Sequence, residues 1–391
     1  METFIAILLS PVIAYLSISG LYQLILAVAS QTSVRQNHKP VSKQNKFLVL
    51  VPAYKEDAVI IESAKVNMAL KYQYHTDRFD YMVISDGLKE STNEKLRQLG
   101  AQVLKVNFDK STKVKSLKAG MKAAKGQYDG VVVLDADNEV PINFLYKANE
   151  CLNQGHKAIQ GQRKAANTES AAACLDAFSE AANTAMLCQG ANRLGFSSKL
   201  SGSGMVFTYA LFKEVLAGLE AIGGFDKEME LALTAQGTYI HYAHDLIVLD
   251  QKVASFKSYE KQRGRWLESQ YNFLKKSFKP ALQSLKGGNR DYFHKTMQLA
   301  LPPRALAPFA LLLLTAISLL LPGWTLLIAA AGLFANIASY LLTIPTGPLF
   351  RESWKVMFAI PALFWSTLKA LTWMKRSRTE FLHTSHQLAN A

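Results

Sequence analysis

Cysteine is scarce in this chain: three residues in 391, at Cys151, Cys174 and Cys188. An odd count without metal-ligand spacing supports neither a disulfide framework nor a zinc site. Internal repeats and low-complexity tracts are absent. Acidic residues are outnumbered, 30 against 44 basic ones, for a net charge of +14. That balance suits a nucleic-acid partner, but no nucleic-acid motif accompanies it and the basic residues gather beside apolar segments, so nucleic acid is set aside.

Charge is missing altogether from two stretches, Thr3 to Val34 and Ala305 to Phe350. A bilayer crossing needs about 20 apolar residues. The first stretch therefore predicts one transmembrane helix, over 1–34. The second predicts a transmembrane helical hairpin over 305–345, two near-full-length spans turned at Pro322-Gly323. The N-terminal segment has no basic n-region and no small-residue cleavage site, so it reads as an anchor, not a removable signal. Arg35, Lys39, Lys43 and Lys46 follow it directly, and cytoplasmic flanks are rich in Lys and Arg. The expectation is an integral protein of the cell inner membrane with its N-terminus outside, membrane lipid around its helices, and residues 45–270 as a cytoplasmic domain whose cysteines stay reduced.

Residues 271–304 mix Phe273, Phe278, Tyr292 and Phe293 with Lys275, Lys276, Lys279 and Lys295, a pattern of amphipathic helices lying on the inner membrane surface. A solvated domain edge is the competing reading. A third apolar helix is expected over 353–374, where only Val356 to Phe364 and a little beyond is free of charge and Lys369 falls inside any full-length span. Crossing would carry Lys375, Arg376 and Arg378 outside, against the positive-inside tendency, so an interfacial or re-entrant helix with a cytoplasmic tail, 375–391, is favoured over a span.

The soluble domain opens as alternating strands and helices. Apolar runs at Phe47 to Val51, Tyr81 to Ile84, Ala101 to Val106 and Gly130 to Leu134 alternate with helical stretches that include Glu56 to Lys71 and Lys113 to Lys125. Four strands so arranged predict an α/β domain with a mainly parallel, doubly wound sheet. Ligands bind such sheets outside the carboxyl ends of the strands. Pro52, Ala53, Tyr54, Asp86, Asp135 and Asp137 all fall there.

Asp135 and Asp137 flank one residue at a strand end, and period-two alternation points both to the same side. Two hard oxygen ligands suit Mg²⁺ or Mn²⁺, completed by diphosphate oxygens and water, although such a pair also serves as solvated strand-end charge. Asp86 is placed to accept from a nucleobase and Tyr54 to lie against it; a simple Asp-Gly turn is the plainer alternative. Lys113 opens a helix after Ser111-Thr112 and offers a charge to a phosphate. Downstream, Gln262, Arg265 and Trp266 form a QxxRW spacing between the soluble domain and the long apolar stretch.

Taken together, these residues resemble the processive branch of the family 2 glycosyltransferases, which includes cellulose, hyaluronan and poly-N-acetylglucosamine synthases. The resemblance covers nearly the whole chain. It implies a Rossmann-like, GT-A type nucleotide-sugar-binding domain with flanking transmembrane and interfacial helices. In that light Val51 to Glu56, with Pro52, Ala53, Tyr54 and Glu56, looks like the opening nucleotide-binding segment, Asp86 the uracil contact and Lys113 the diphosphate lysine. Asp135 and Asp137 look like the metal-binding D-x-D pair, and Gly202, Ser203 and Gly204 like the acceptor-side loop. Arg265 is implied near the diphosphate and Trp266 on the acceptor sugar. Phe381-Leu382-His383-Thr384 resembles a cytoplasmic segment of bacterial members.

Three departures stand out. The family's T-E-D segment is Asp226-Lys227-Glu228 here, which puts Glu228 where the general base is expected, with Glu230 as the alternative. Ser85 replaces the first aspartate of D-D-G, and Asp250-Gln251 replaces Asp-Glu. The implied activity is metal-dependent, inverting transfer from a UDP-sugar donor to a growing glycan. Transfer of one sugar to a lipid-linked acceptor is the alternative, and an inactive membrane scaffold a more distant one. An accessory export subunit is a further possible partner by the same resemblance.

Overall fold

The structure, a computed structural model, describes residues 1–32, 43–253 and 255–374. Arg35, Lys39 and the whole tail from 375, with Phe381 to Thr384, lie outside the described residues. A long helix α1 (Glu2–Ser30) precedes β1 (Phe47–Tyr54), α2 (Ile60–Asn67), β2 (Phe79–Asp86), α3 (Glu90–Gln98), β3 (Gln102–Val106), α4 (Lys113–Ala123) and β4 (Gly130–Val133). Next come α5 (Phe144–Asn153), β5 (Ala158–Ala165), α6 (Ala171–Asn183), a π-helical turn Thr184–Gly190, and α7 (Ala191–Arg193). The domain continues through β6 (Met205–Thr208), α8 (Tyr209–Ala217), α9 (Phe225–Ala235), β7 (Ile240–Asp250), α10 (Phe256–Lys286) and α11 (Arg290–Gln298). The chain closes with α12 (Ala307–Ser318), α13 (Gly323–Leu342) and α14 (Ser353–Trp373).

One seven-stranded sheet runs in the order β3-β2-β1-β4-β6-β5-β7. Its first half is parallel, as the sequence pattern predicts. The second half adds β5, β6 and β7, of which β6 is antiparallel to both β4 and β5. The sheet is therefore mixed, with a reversed strand at its middle. Alternation along the strands splits the core in two. Val49, Val51, Tyr81, Val83 and Val132 face α2 and α5, while Leu48, Leu50, Met82, Ile84 and Val131 face α4 and α8. Register then aligns the functional edge: β1 pairs β2 in parallel so that Tyr54 lies beside Asp86.

The apolar helices depart from expectation in length. Three are long and apolar enough to cross a membrane: Glu2–Ser30, Gly323–Leu342 and the segment Leu349–Trp373. The first arm of the expected hairpin, α12, has only 12 residues. At about 1.5 Å rise per residue such a helix falls well short of a ~30 Å hydrocarbon core. The turn also begins earlier than Pro322, because the α12 helix ends at Ser318. The border expected at residues 270 and 271 lies inside the unbroken helix α10.

α1 packs along α13, where Ser17 Oγ donates to the Ile328 carbonyl at 3.0 Å. Its C-terminal end docks on the π-helical turn, with Gln189 Nε2 donating to the Ser30 carbonyl at 2.7 Å. α14 instead lies on the domain built around the sheet. Its Ala359 and Leu363 pack with Leu175 of α6, Tyr259 of α10 and Val253, which precedes α10. Gly264 of α10 makes this approach possible, since a Cβ there would stand 2.5 Å from the Trp373 Cβ.

Candidate active site

A cavity of about 330 Å³ opens at the carboxyl edge of the sheet. Pro52, Tyr54, Glu56, Asp86, Lys113, Asp135, Asp137, Gly202, Gln262, Arg265 and Trp266 all line it. Ala53, Ser203, Gly204, Glu228 and Glu230, also singled out in the sequence, do not. Ala53 is buried in β1, and Ser203 and Gly204 lie behind Gly202, with the Ser203 and Gly204 carbonyls near Gln160 Nε2. The Glu228 and Glu230 carboxylates are turned elsewhere.

The sheet edge supplies the floor. Asp86 ends β2, is 4% exposed, and its Oδ2 has no hydrogen-bond partner among the described residues. A buried carboxylate oxygen without a donor costs on the order of 1–3 kcal/mol, so the site retains an acceptor for an incoming N–H or O–H. A second cavity of about 640 Å³ adjoins, sharing Tyr54, Asp86, Ser111 and Thr112 with the first. Lys113 is set at the start of α4 by the Thr112 N-cap, whose hydroxyl accepts from the Lys115 N–H at 3.2 Å. Its ammonium is ion-paired with Asp135 and donates to the Gly202 carbonyl at 2.7 Å. One lysine thus ties the strand-end acids to the loop across the cavity.

The turn carrying Asp135 and Asp137 is held from beneath. Asn138, fully buried, accepts the Asp135 N–H at 3.0 Å and donates to Asp137 Oδ1 at 3.3 Å and to Asp250 Oδ1 at 3.0 Å. Asp250 closes a buried quartet: Arg163 Nη2 meets it at 2.5 Å and Lys252 Nζ at 2.7 Å, while Glu180 bridges Arg163, at 3.2 Å, and Lys252. Burial opposes the Asp250 charge, but Arg163 and Lys252 outweigh it and hold the carboxyl far below the usual carboxylate range. The sequence pattern missed Arg163, Glu180 and Lys252. Two stand on β5 and α6, which carry no marker, though Lys252 follows Asp250-Gln251 by one residue.

α10 forms the opposite wall. Gln262, Trp266 and Ser269 recur at i, i+4 and i+7, so one helical face presents them with Arg265 to the cavity. Trp266 is 40% exposed. Arg263, inside the same pentapeptide, also lines the cavity; its guanidinium lies over the Trp266 ring at 4.5 Å and donates to Asp176 at 2.8 Å. It fixes the ring plane from behind. Burial lowers the Arg265 guanidinium to about 10, a measure of how dry this wall is. Lys199 lines the same cavity, and burial, reinforced by Lys227, lowers its ammonium to about 8.

The acids of α9 divide sharply. Glu228 Oε2 accepts the backbone N–H groups of Glu220 at 3.0 Å and Ala221 at 2.8 Å. Glu230 is 6% exposed, accepts the Leu200 N–H at 2.6 Å and lies 3.7 Å from the buried Lys295 Nζ. Only Asp226 of the three lines the cavity. Gly224, at φ +71°, caps this helix; a Cβ there would meet Ser269 at 2.7 Å, so the residue sits where α9 touches α10.

The two cavity-lining aspartates of the D-x-D pair bring hard oxygen donors, and no group of three or more His, Cys, Asp or Glu converges on a metal position among the described residues. That donor set fits a divalent ion whose remaining ligands come from a bound diphosphate and water.

No curated protein matches the chain. Among solved structures, a mannosyltransferase from Pyrobaculum calidifontis, PcManGT, in complex with GDP-Man and Mn²⁺, superimposes with a TM-score of 0.57 at 16% identity, over 96% of this chain and 98% of that one. Glucosyl-3-phosphoglycerate synthase from Mycobacterium tuberculosis, in complex with Mn²⁺, UDP and phosphoglyceric acid, matches more loosely, at a TM-score of 0.42 and 16% identity over 58% of this chain and 80% of that one. The first likeness establishes the GT-A glycosyltransferase fold of the mixed α/β sheet domain. Residues 44–269 match the model of the glycosyltransferase-like family 2, and with that match covering more than half of its length the chain belongs to this family and is a glycosyltransferase.

Proposed function

We propose that this glycosyltransferase moves a sugar from a UDP-sugar to a growing glycan, with inversion at the anomeric carbon, on the cytoplasmic side of the cell inner membrane. One observation carries the reading: the strand-end acids and the QxxRW face of α10, from opposite ends of the domain, line a single cavity. Asp86 and Tyr54 bind the base, Lys113 and Arg265 the diphosphate, and Trp266 offers an aromatic face to the acceptor sugar. Asp135 and Asp137 would hold Mg²⁺ or Mn²⁺; the similar Pyrobaculum enzyme is in complex with GDP-Man and Mn²⁺. When bound, such an ion neutralises charge on the departing diphosphate. Preorganised cations in a dry cavity stabilise the same charge without reorganising water.

Two features favour a processive enzyme embedded in lipid. α1 and α13 are long and apolar enough to span, and α1 is bonded directly to the π-helical turn whose Thr184 and Cys188 line the cavity. Product would therefore emerge next to the bilayer, where an export subunit would meet it.

The test is donor screening of detergent-purified protein with Mn²⁺, using UDP-glucose, UDP-N-acetylglucosamine, UDP-glucuronate and GDP-mannose, with nucleotide release and product mass as readouts. A ladder of products from a UDP-sugar is expected. Turnover of GDP-mannose alone would overturn the donor assignment, and a single added sugar would overturn processivity.

A further inference from the structure

We infer that Asp226, not Glu228 or Glu230, is the carboxylate that takes the acceptor proton; the inference rests on the transfer reading above. Alignment of the acidic cluster by its spacing to Leu231 puts Glu228 in the base position, but the fold gives that side chain another task. Its Oε2 is held by the backbone N–H groups of Glu220 and Ala221, at 3.0 and 2.8 Å, and the side chain does not line the cavity. Charge-assisted bonds of this kind contribute about 1.5–3 kcal/mol each. Glu230 is further away still, sealed between the Leu200 N–H and Lys295.

Asp226 meets the geometric requirement that these two fail. It lines the cavity with Trp266, Arg265 and Gly202. A Cβ built on Gly202 would stand 3.9 Å from the Asp226 Cβ, and the Gly202 carbonyl is the acceptor for Lys113 Nζ. The preceding Phe225 ring lies under the same ammonium at 5.4 Å. Asp226 therefore stands one residue from the phosphate lysine on the acceptor side. Of the other cavity acids, Asp176 is held by Arg263 and Glu180 and Asp250 by the buried quartet, while the transfer reading places Glu56, Asp86, Asp135 and Asp137 on the donor side. In the step, the acceptor O–H proton passes to the Asp226 carboxylate as its oxygen bonds to the anomeric carbon. The bond from that carbon to the diphosphate oxygen breaks, and the electron pair leaves with the UDP.

Asp226→Asn, Asp226→Glu, Glu228→Gln and Glu230→Gln separate the three acids. Asp226→Asn is expected to lower kcat for transfer by at least about 10²-fold with UDP affinity within about threefold of wild type. Its residual rate should climb with pH without levelling, because hydroxide replaces the lost base, and Asp226→Glu should recover part of the rate. Glu228→Gln keeps an acceptor oxygen for both N–H groups, so it should lose far less rate and show a small drop in Tm. Transfer at wild-type rate by Asp226→Asn, or a loss in Glu228→Gln or Glu230→Gln that exceeds it at unchanged Tm, would overturn the assignment while leaving the transfer reading intact. Failure of the wild type to release UDP from any UDP-sugar would instead remove the transfer reading.

Discussion

Asp137 and Trp266 stand on opposite walls of one cavity, so their loss should damage different halves of the reaction. Asp137→Ala removes a hard oxygen from the pair best suited to a divalent ion. It should abolish transfer and weaken UDP binding in Mn²⁺ with the Tm nearly unchanged, as checked by titration calorimetry and thermal melting. Trp266→Ala leaves the sheet edge untouched. It should still bind and slowly hydrolyse the donor but make short products or none, read by product mass. Arg163 acts one layer deeper: its replacement by Met leaves Asp250 and Glu180 with Lys252 as their remaining ion-pair partner among the described residues. Breaking one partner out of a buried ionic group costs about 3–5 kcal/mol. Chemical denaturation should show a loss of that size, and activity should fall with it because Asn138 links Asp250 to the Asp137 turn.

At the scale of elements, two packings carry predictions. α14 lies against α10 through Gly264, where Ala370 and Trp373 crowd the backbone. Gly264→Val should push α14 away and shift the neighbouring Arg265 and Trp266. Increased proteolysis near residue 373 together with a raised acceptor KM would report it. At the other end of the sheet, His156 and His241 stack at 3.7 Å where β5 and β7 begin. Burial first, and the neighbouring His156 second, lower the His241 imidazole from 6.5 to about 4. The folded state thus holds His241 neutral while the unfolded chain takes up a proton below about 6.5. The stabilisation is complete above that pH and is lost as pH falls towards about 4, by no more than about 3 kcal/mol. His241→Phe should flatten this part of the Tm-against-pH curve.

For the whole molecule, the proposed membrane placement turns on how the three helices long and apolar enough to span are packed. α1 and α13 pair with each other, whereas α14 turns Ala359 and Leu363 to the domain and leaves Trp354, Met357, Phe358 and Trp365 exposed. A helix docked on one side and apolar on the other suits the membrane interface. Lys355 and Lys369 fit that placement, reaching back to Glu352 at 2.7 Å and Glu260 at 3.9 Å. A C-terminal tag should accordingly be shielded from impermeant label in intact cells. Labelling from outside would make α14 a genuine span and place the 375–391 tail beyond the membrane.

Local pattern was enough for the parallel half of the sheet, the strand-end acids and the apolar segments, because period-two and period-3.6 burial and uninterrupted apolarity are properties of neighbouring residues. The pairing of Tyr54 with Asp86 followed from that register, and the QxxRW face from helical spacing. Long-range placement was a different matter. β6 enters the sheet antiparallel between β4 and β5, pairing with residues 45 to 78 positions away. The α12 helix breaks at Ser318, although nothing in the apolar composition before Pro322 marks a stop. Arg163, Glu180, Asp250 and Lys252 are scattered over 90 positions and become a unit only when β5, α6 and β7 meet. The acids of α9 show the limit most clearly. Asp226, Glu228 and Glu230 are equivalent in chemistry and spacing, and only the loop 220–221, Leu200 and the wall of α10 decide which carboxylate is consumed by backbone and which faces the cavity.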